Sequence, residues 1–263
     1  MLFDVSLPLY ILSISILSTL LFIKYGRKLE TMFGKREIKT SETVALVLVM
    51  GLVVTLIVFI PNLAIAVLII AVNSILHFLF FYTVTKNKFV AAFFPSLFLA
   101  SYLLFWNDTF LNFFASISVL SIALLSGVIF TWRTTLAFAA LLTLVDVFHV
   151  FVTRFMVISG EKMIAMKLPV IVVMPMFPLE GRIILGLGDI FLTCLLTIQT
   201  ARKYGFKAGV LSAASISLIF LISESLLLTF KVGFFPATTI IFSGWILFVT
   251  LNYLMSLKRT GNP

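Results

Sequence analysis

Nine apolar stretches, parted mostly by short polar or turn-forming breaks, constrain this chain more than any other feature. They cover residues 7–23, 44–60, 63–84, 89–105, 110–130, 134–153, 183–201, 208–230 and 236–256. At 1.5 Å rise per residue, each can cross a hydrocarbon core of about 30 Å as a helix. Backbone in lipid must satisfy its own N–H and C=O groups, which makes helix the expected state of every stretch. Hydrophobic residues make up 62% of the 263 and charged residues 11%, against about 25% charged in a soluble domain. The expected fold is therefore an all-α polytopic membrane protein of nine transmembrane helices, with no sizeable soluble domain. Breaks as tight as Pro61-Asn62 and Trp106-Asn107-Asp108 make consecutive helices antiparallel neighbours.

A formal net charge of +9 is compatible with nucleic-acid binding, but the basic residues cluster at the ends of apolar stretches, as cytoplasmic anchors do. No nucleic-acid partner is expected; the lipid bilayer is. Of 19 Lys and Arg, 14 fall in the odd-numbered connections and the C-terminal tail, among them Lys24, Arg27, Lys28, Lys35, Arg36, Arg202, Lys203, Lys258 and Arg259. The positive-inside rule then places the N-terminus outside and the C-terminus in the cytoplasm. The N-terminus Met-Leu-Phe-Asp lacks a basic leader, and 7–23 has no small-residue cleavage site, so it reads as a first helix and not a removed signal peptide.

Two connections are long. Residues 24–41 are polar and of mixed charge, a cytoplasmic loop with some interfacial helix. Residues 154–182 face outside and contain the tract Leu168-Pro-Val-Ile-Val-Val-Met-Pro-Met-Phe177, too short to span. Its β-branched residues, with Pro169 and Pro175, favour extended backbone. Such a segment beside the bundle would offer edge hydrogen bonds to an unwound peptide; a buried or interfacial loop is the alternative.

Asp189 is the one charge in the stretch 183–201. A charged Asp near mid-bilayer costs roughly 2.5–3.5 kcal/mol on insertion scales, and such residues usually serve function. A second, Asp146, lies in the preceding stretch. Asp146 is seven residues before Thr153 and Asp189 six after Ile183, which puts both about 10 Å below the outer surface on antiparallel neighbours. Two adjacent carboxyls do not readily both ionise and would share a proton. One then acts as base on a water while the other polarises a carbonyl, the division of labour of aspartic proteases. Water must enter, so a hydrated cavity is implied. Asp189 ends the sequence Gly186-Leu187-Gly188-Asp189, and glycines permit close backbone approach by a helix or a substrate. The last stretch opens with Pro236-Ala237-Thr238; Pro at a helix start is structurally ordinary.

Other polar residues carry less. Glu224 reads as a hydrogen-bond partner within the bundle, or else a proton site. His149, one turn beyond Asp146 on the same face, reads as structural or interfacial, His77 as a satisfied interior residue, and Cys194 as packing.

Asp146, the Gly-x-Gly-Asp motif at 186–189 and Pro236-Ala237-Thr238 together resemble the presenilin/signal peptide peptidase family of intramembrane aspartyl proteases. That family places its first catalytic Asp after a Tyr on helix 6, its second at the end of Gly-x-Gly-Asp on helix 7, and a Pro-Ala-Leu motif at the start of helix 9. The likeness spans residue 134 to the end, and nine helices match the family architecture. Val145-Asp146-Val147-Phe148, the loop through Lys167-Leu168-Pro169-Val170 and the N-out orientation are most similar to the signal peptide peptidase branch, with compact size and short termini of a prokaryotic, archaeal-type member. Val145 stands where the family has Tyr, and Thr238 where it has Leu. The resemblance implies a scaffold in residues 1–133 and a catalytic region in 134–263. It makes Asp146 and Asp189 catalytic, and Gly186, Leu187, Gly188, Pro236, Ala237 and Thr238 substrate-binding. It implies no metal and no cofactor, with transmembrane helices or remnant signal peptides as substrates.

Two other functions fit parts of the pattern. A proton-coupled transporter would also use paired Asp residues, but no inverted repeat or matched pair of broken helices is present. A prepilin-type peptidase shares the Gly-x-Gly-Asp motif and would have fewer helices and no Pro-Ala pair. The zinc motif His-Glu-x-x-His is absent, as is a membrane serine nucleophile motif.

Overall fold

A computed structural model describes residues 2–34 and 37–260. Lys35 and Arg36 lie outside the described residues, as do the side chains of Lys258 and Arg259. The chain runs α1 (Ser6–Phe33), α2 (Thr40–Phe59), α3 (Asn62–Thr85), α4 (Lys88–Leu104), α5 (Asp108–Ile129), α6 (Trp132–Phe151), α7 (Phe155–Ala165), β1 (Ile171–Pro175), β2 (Arg182–Gly186), α8 (Leu187–Tyr204), α9 (Phe206–Thr229) and α10 (Ala237–Thr260).

Each of the nine apolar stretches coincides with a helix, but among the described residues seven helices, not nine, are long and apolar enough to cross a membrane: α1, α2, α3, α5, α6, α9 and α10. The chain is an integral, multi-pass membrane protein of helical build. α4 is shorter, at 17 residues. α8 has 18 but carries Asp189, Arg202 and Lys203 at its ends. Three expectations shift at the connections. α1 continues to Phe33, so the first loop is shorter than its polarity implied. The long connection holds an extra helix, α7. The seventh stretch becomes helical only at Leu187, because residues 182–186 pair as a strand.

The helix ends follow local chemistry. Asn87 and Asn107 each accept two backbone N–H bonds at the starts of α4 and α5, and the Thr131 hydroxyl caps α6, meeting donors that the first turn leaves orphaned. Within the helices, hydroxyls donate to a carbonyl one turn back, as at Ser15 to Ile11, Thr143 to Ala139 and Thr193 to Asp189. That discharges a polar group where no water is available.

α8 forms the centre. Ile190, Leu192, Cys194, Leu195, Leu196 and Ile198 are fully buried, with α1, α5 and α9 packed around them and α6 and α10 alongside. The approach is close: a Cβ on Gly127 of α5 would sit 2.8 Å from the Phe22 ring and 3.0 Å from Ile198. α3 packs on α5 and carries α4, whereas α2 rests on α6 and α7.

β1 and β2 form an antiparallel hairpin, with Ile171 opposite Gly186 and Val173 opposite Ile184. It is pinned at several points. Arg182 bridges to Asp108 of α5 at 2.7 Å. The Asn112 side chain of α5 accepts from Val173 N (2.8 Å) and donates to Val173 O (2.7 Å), as a neighbouring strand would. At the tip, Asp4 accepts from Phe177 N (2.6 Å) while capping α1 through Ser6 N and Leu7 N. The apolar tract at 168–177 is thus a strand over part of its length, and its outer edge is already occupied by Asn112.

Candidate active site

Asp146 sits in the last two turns of α6 and is buried. Asp189 is the third residue of α8, not six residues into a helix as the apolar pattern implied, because extended backbone precedes it. Both side chains line one cavity of about 370 Å³, together with Gly186, Leu187, Gly188 and Thr238. They also line a smaller cleft of about 80 Å³ with Phe234, Phe235, Pro236 and Ala237, a space that can admit water. The two carboxyls are near enough to interact electrostatically. All eight residues singled out from the sequence therefore border one or both of two spaces that share Asp146 and Asp189.

The two glycines differ in kind. A Cβ on Gly186 would lie 3.1 Å from Asp189 Oδ2, so the carboxyl folds back over this position. Asp189 thereby occupies the N-terminal turn of α8, where orphaned N–H groups and the helix dipole favour an acidic side chain. A Cβ on Gly188 would meet nothing within 4 Å; here the missing side chain leaves the cavity open. A second apolar cavity of about 320 Å³, bounded by Phe130, Phe138 and Phe191, shares Met50, Leu187 and Gly188 with the first. The two meet beside the Gly-x-Gly-Asp segment.

Pro236 lies just ahead of α10, and Ala237 and Thr238 are its first two residues. Thr238 is 1% exposed, and its hydroxyl has no hydrogen-bond partner of good geometry. Val145, next to Asp146, turns toward α2: its Cγ1 is 3.1 Å from where a Cβ on Gly51 would be, and His149 Nε2 is 3.3 Å from that point. Gly51 is what lets α2 close one wall of the cavity.

Sequence reasoning did not find Gly51, Met50, Lys162 or Asn112. Lys162 of α7 donates from Nζ to the carbonyls of Ile57, Val58 and Ile60 at 3.1, 3.2 and 2.7 Å, fastening the end of α2 to the helix roofing the site. These contacts join residues far apart in the chain, and no local pattern signals them. The weaker candidates fall unevenly. His149 lines the cavity wall and bonds Thr153 through Nδ1 at 3.1 Å. His77 lies elsewhere, its Nε2 bonded to Phe114 O and Ser118 Oγ while Nδ1 has no partner. Glu224, expected as a hydrogen-bond partner, keeps both carboxyl oxygens buried without one. Among the described residues, no three His, Cys, Asp or Glu side chains gather as a metal site.

The hairpin adds a directional feature. In an antiparallel ladder, residues alternate between bonding their partner strand and facing away. Leu187 N bonds Val170 O, so the residues one pair along, Ile171 and Gly186, face outward, as do Val173 and Ile184. Val173 is taken by Asn112. On β2 the outward groups are the N–H and C=O of Ile184 and the N–H of Gly186, beside the cavity that Gly186 lines. No known protein-family model matches the chain, and no curated protein does.

Proposed function

We propose that this chain is an intramembrane aspartyl endopeptidase of the presenilin/signal peptide peptidase family. On this reading it hydrolyses peptide bonds within transmembrane segments or remnant signal peptides. The observation that carries it is the convergence of Asp146 and Asp189, from two helices of an apolar bundle, on one cavity beside an unoccupied strand edge. Carboxyls are costly in such a setting, and a pair sharing one small space suits proton exchange with a water between them.

The chemistry follows from the pair. One carboxylate removes a proton from water, and the oxygen attacks the scissile carbonyl. The other carboxyl donates its proton to that carbonyl oxygen. Collapse of the tetrahedral adduct breaks the C–N bond: the amine leaves with a proton returned from the first carboxyl, and the second carboxylate takes back one hydroxyl proton from the adduct. A helical substrate hides its carbonyls in its own hydrogen bonds, so it must unwind first. The outer edge of β2, at Ile184 and Gly186, supplies replacement partners for an unwound strand. This moves the strand-holding role from the 168–177 tract to β2. Gly186, Leu187, Gly188, Pro236, Ala237 and Thr238 then border the bound backbone.

The wider reading has nine membrane crossings, with α4 and α8 completing the seven long apolar helices. The N-terminus is outside, the C-terminus cytoplasmic, and the host membrane a prokaryotic cell membrane. Residues 1–133 are scaffold and 134–263 catalytic. Substrates oriented with their N-terminus inside are preferred.

Purified protein in liposomes, given a single-pass reporter substrate, tests this directly. Asp146→Asn and Asp189→Asn should each lower cleavage by about 10³-fold or more, as loss of either member of a coupled pair does. Cleavage retained in either variant, or Asp-dependent proton flux without proteolysis, defeats the proposal.

A further inference from the structure

We propose that Thr238 is a positioning residue for the acid–base pair: its hydroxyl donates a hydrogen bond to the Asp146 carboxylate and fixes the orientation of that group. The kinetic consequence rests on the protease reading; the hydrogen bond itself does not.

The ground is an unspent donor. Thr238 is 1% exposed, and its Oγ1 has no protein partner of good geometry. A buried hydroxyl without a partner costs about 1–3 kcal/mol. Most buried hydroxyls in these helices avoid the cost by donating to a carbonyl one turn back, as Ser15, Thr193 and Thr200 do; Thr135 and Thr238 do not. Thr238 cannot do this, because it is the second residue of α10 and Phe234, four residues before it, lies outside the helix. The Pro236 carbonyl is engaged by Thr239, through both N (3.1 Å) and Oγ1 (2.7 Å). The side-chain acceptor within interaction range is the Asp146 carboxyl, and both residues line the same cavity. In the proposed bond Oγ1 lies 2.5–3.0 Å from a carboxylate oxygen, the range of an O–H···O bond. An oriented donor favours one rotamer of Asp146, and the rotamer decides whether its oxygen points at a water or at the cavity wall. Asp189 has a different support, since its carboxyl is held over Gly186 in the first turn of α8. The two carboxyls thus start from unlike surroundings, which a pair with divided roles requires.

Three variants of the full chain test this: Thr238→Val, which keeps shape and removes the hydroxyl, Thr238→Ser, which keeps the hydroxyl, and Asp146→Asn. Infrared spectra of the purified proteins, with the Asp146→Asn spectrum subtracted, isolate the Asp146 carboxyl band. That band should move in Thr238→Val and keep its place in Thr238→Ser. An unmoved band in Thr238→Val overturns the proposal whether or not the protein cleaves anything. In the cleavage assay, Thr238→Val should lower kcat by about 10-fold or more, the worth of one charge-assisted hydrogen bond. KM should hold, and Thr238→Ser should restore kcat. A rise in KM alone makes Thr238 a substrate contact and overturns the positioning role. A wild-type chain with no Asp-dependent cleavage defeats the protease reading and leaves the infrared result to decide the hydrogen bond.

Discussion

α2 and α8 invert the usual relation between hydrophobicity and burial. α2 is almost wholly apolar, yet only Thr43, Val47 and Gly51 are buried, and Leu48, Leu52 and Phe59 are more than half exposed. α8 carries Thr193, Thr197, Gln199 and Thr200 through its middle, and all are buried. In water the polar helix would face out. In a bilayer the apolar helix can meet lipid, while the polar one must find partners inside protein. α8 finds them: Gln199 donates to Gly127 O and Phe130 O, and Trp245 Nε1 donates to Thr200. The helix least suited to lipid becomes the centre of the bundle and carries Asp189 in its first turn, while the helix most suited to lipid forms a peripheral cavity wall. Asp189 is thus carried by the most buried helix, and the cavity wall beside it by one of the least buried.

That contrast can be broken by substitution. Ile198→Ala in α8 should cost about 2–5 kcal/mol, since its side chain is fully buried against Gly127 and Phe22; a melting curve in detergent reads this, and a loss near zero would deny α8 its central place. Lys162→Met should cost less, about 1 kcal/mol, because three carbonyls at the end of α2 lose a donor. Hydrogen exchange at residues 57–60 should quicken while α8 stays protected; equal change in both would mean that α2 and α8 open together. Leu48→Ala should fall within about 0.5 kcal/mol of wild type, as its side chain is 64% exposed. A large loss there would show that α2 has a protein partner on its outer face.

Helices were legible in the sequence because length and apolarity suffice to locate them in lipid. The start of α8 was not. Ile183-Ile184-Leu185 is apolar and β-branched, and a short run of that kind fits a strand or a helix equally until pairing is known. Only Val172 and Met174 across the ladder decide it. α7 was missed for a related reason: its 11 residues carry too weak a pattern to stand out in a polar loop. The residues that border the two cavities were easier to pick out. Asp146, Asp189, the two glycines and Pro236 to Thr238 are conspicuous because carboxyls and turn residues are rare in such stretches. Asn112, Gly51 and Lys162 are commonplace residues whose roles depend on contacts across 60 to 105 positions of sequence.

Asp4 bears on how the molecule is assembled. It is made long before its partner, since its bond to Phe177 joins positions 173 apart. While the chain is emerging, Asp4 can cap α1 but has no hairpin to hold. Seating of the strand pair therefore waits until seven helices have been made, and the edge at Ile184 forms only just ahead of α8 and Asp189. A chain cut short before that point would have α1 to α7 and no strand pair for Asp4 to hold.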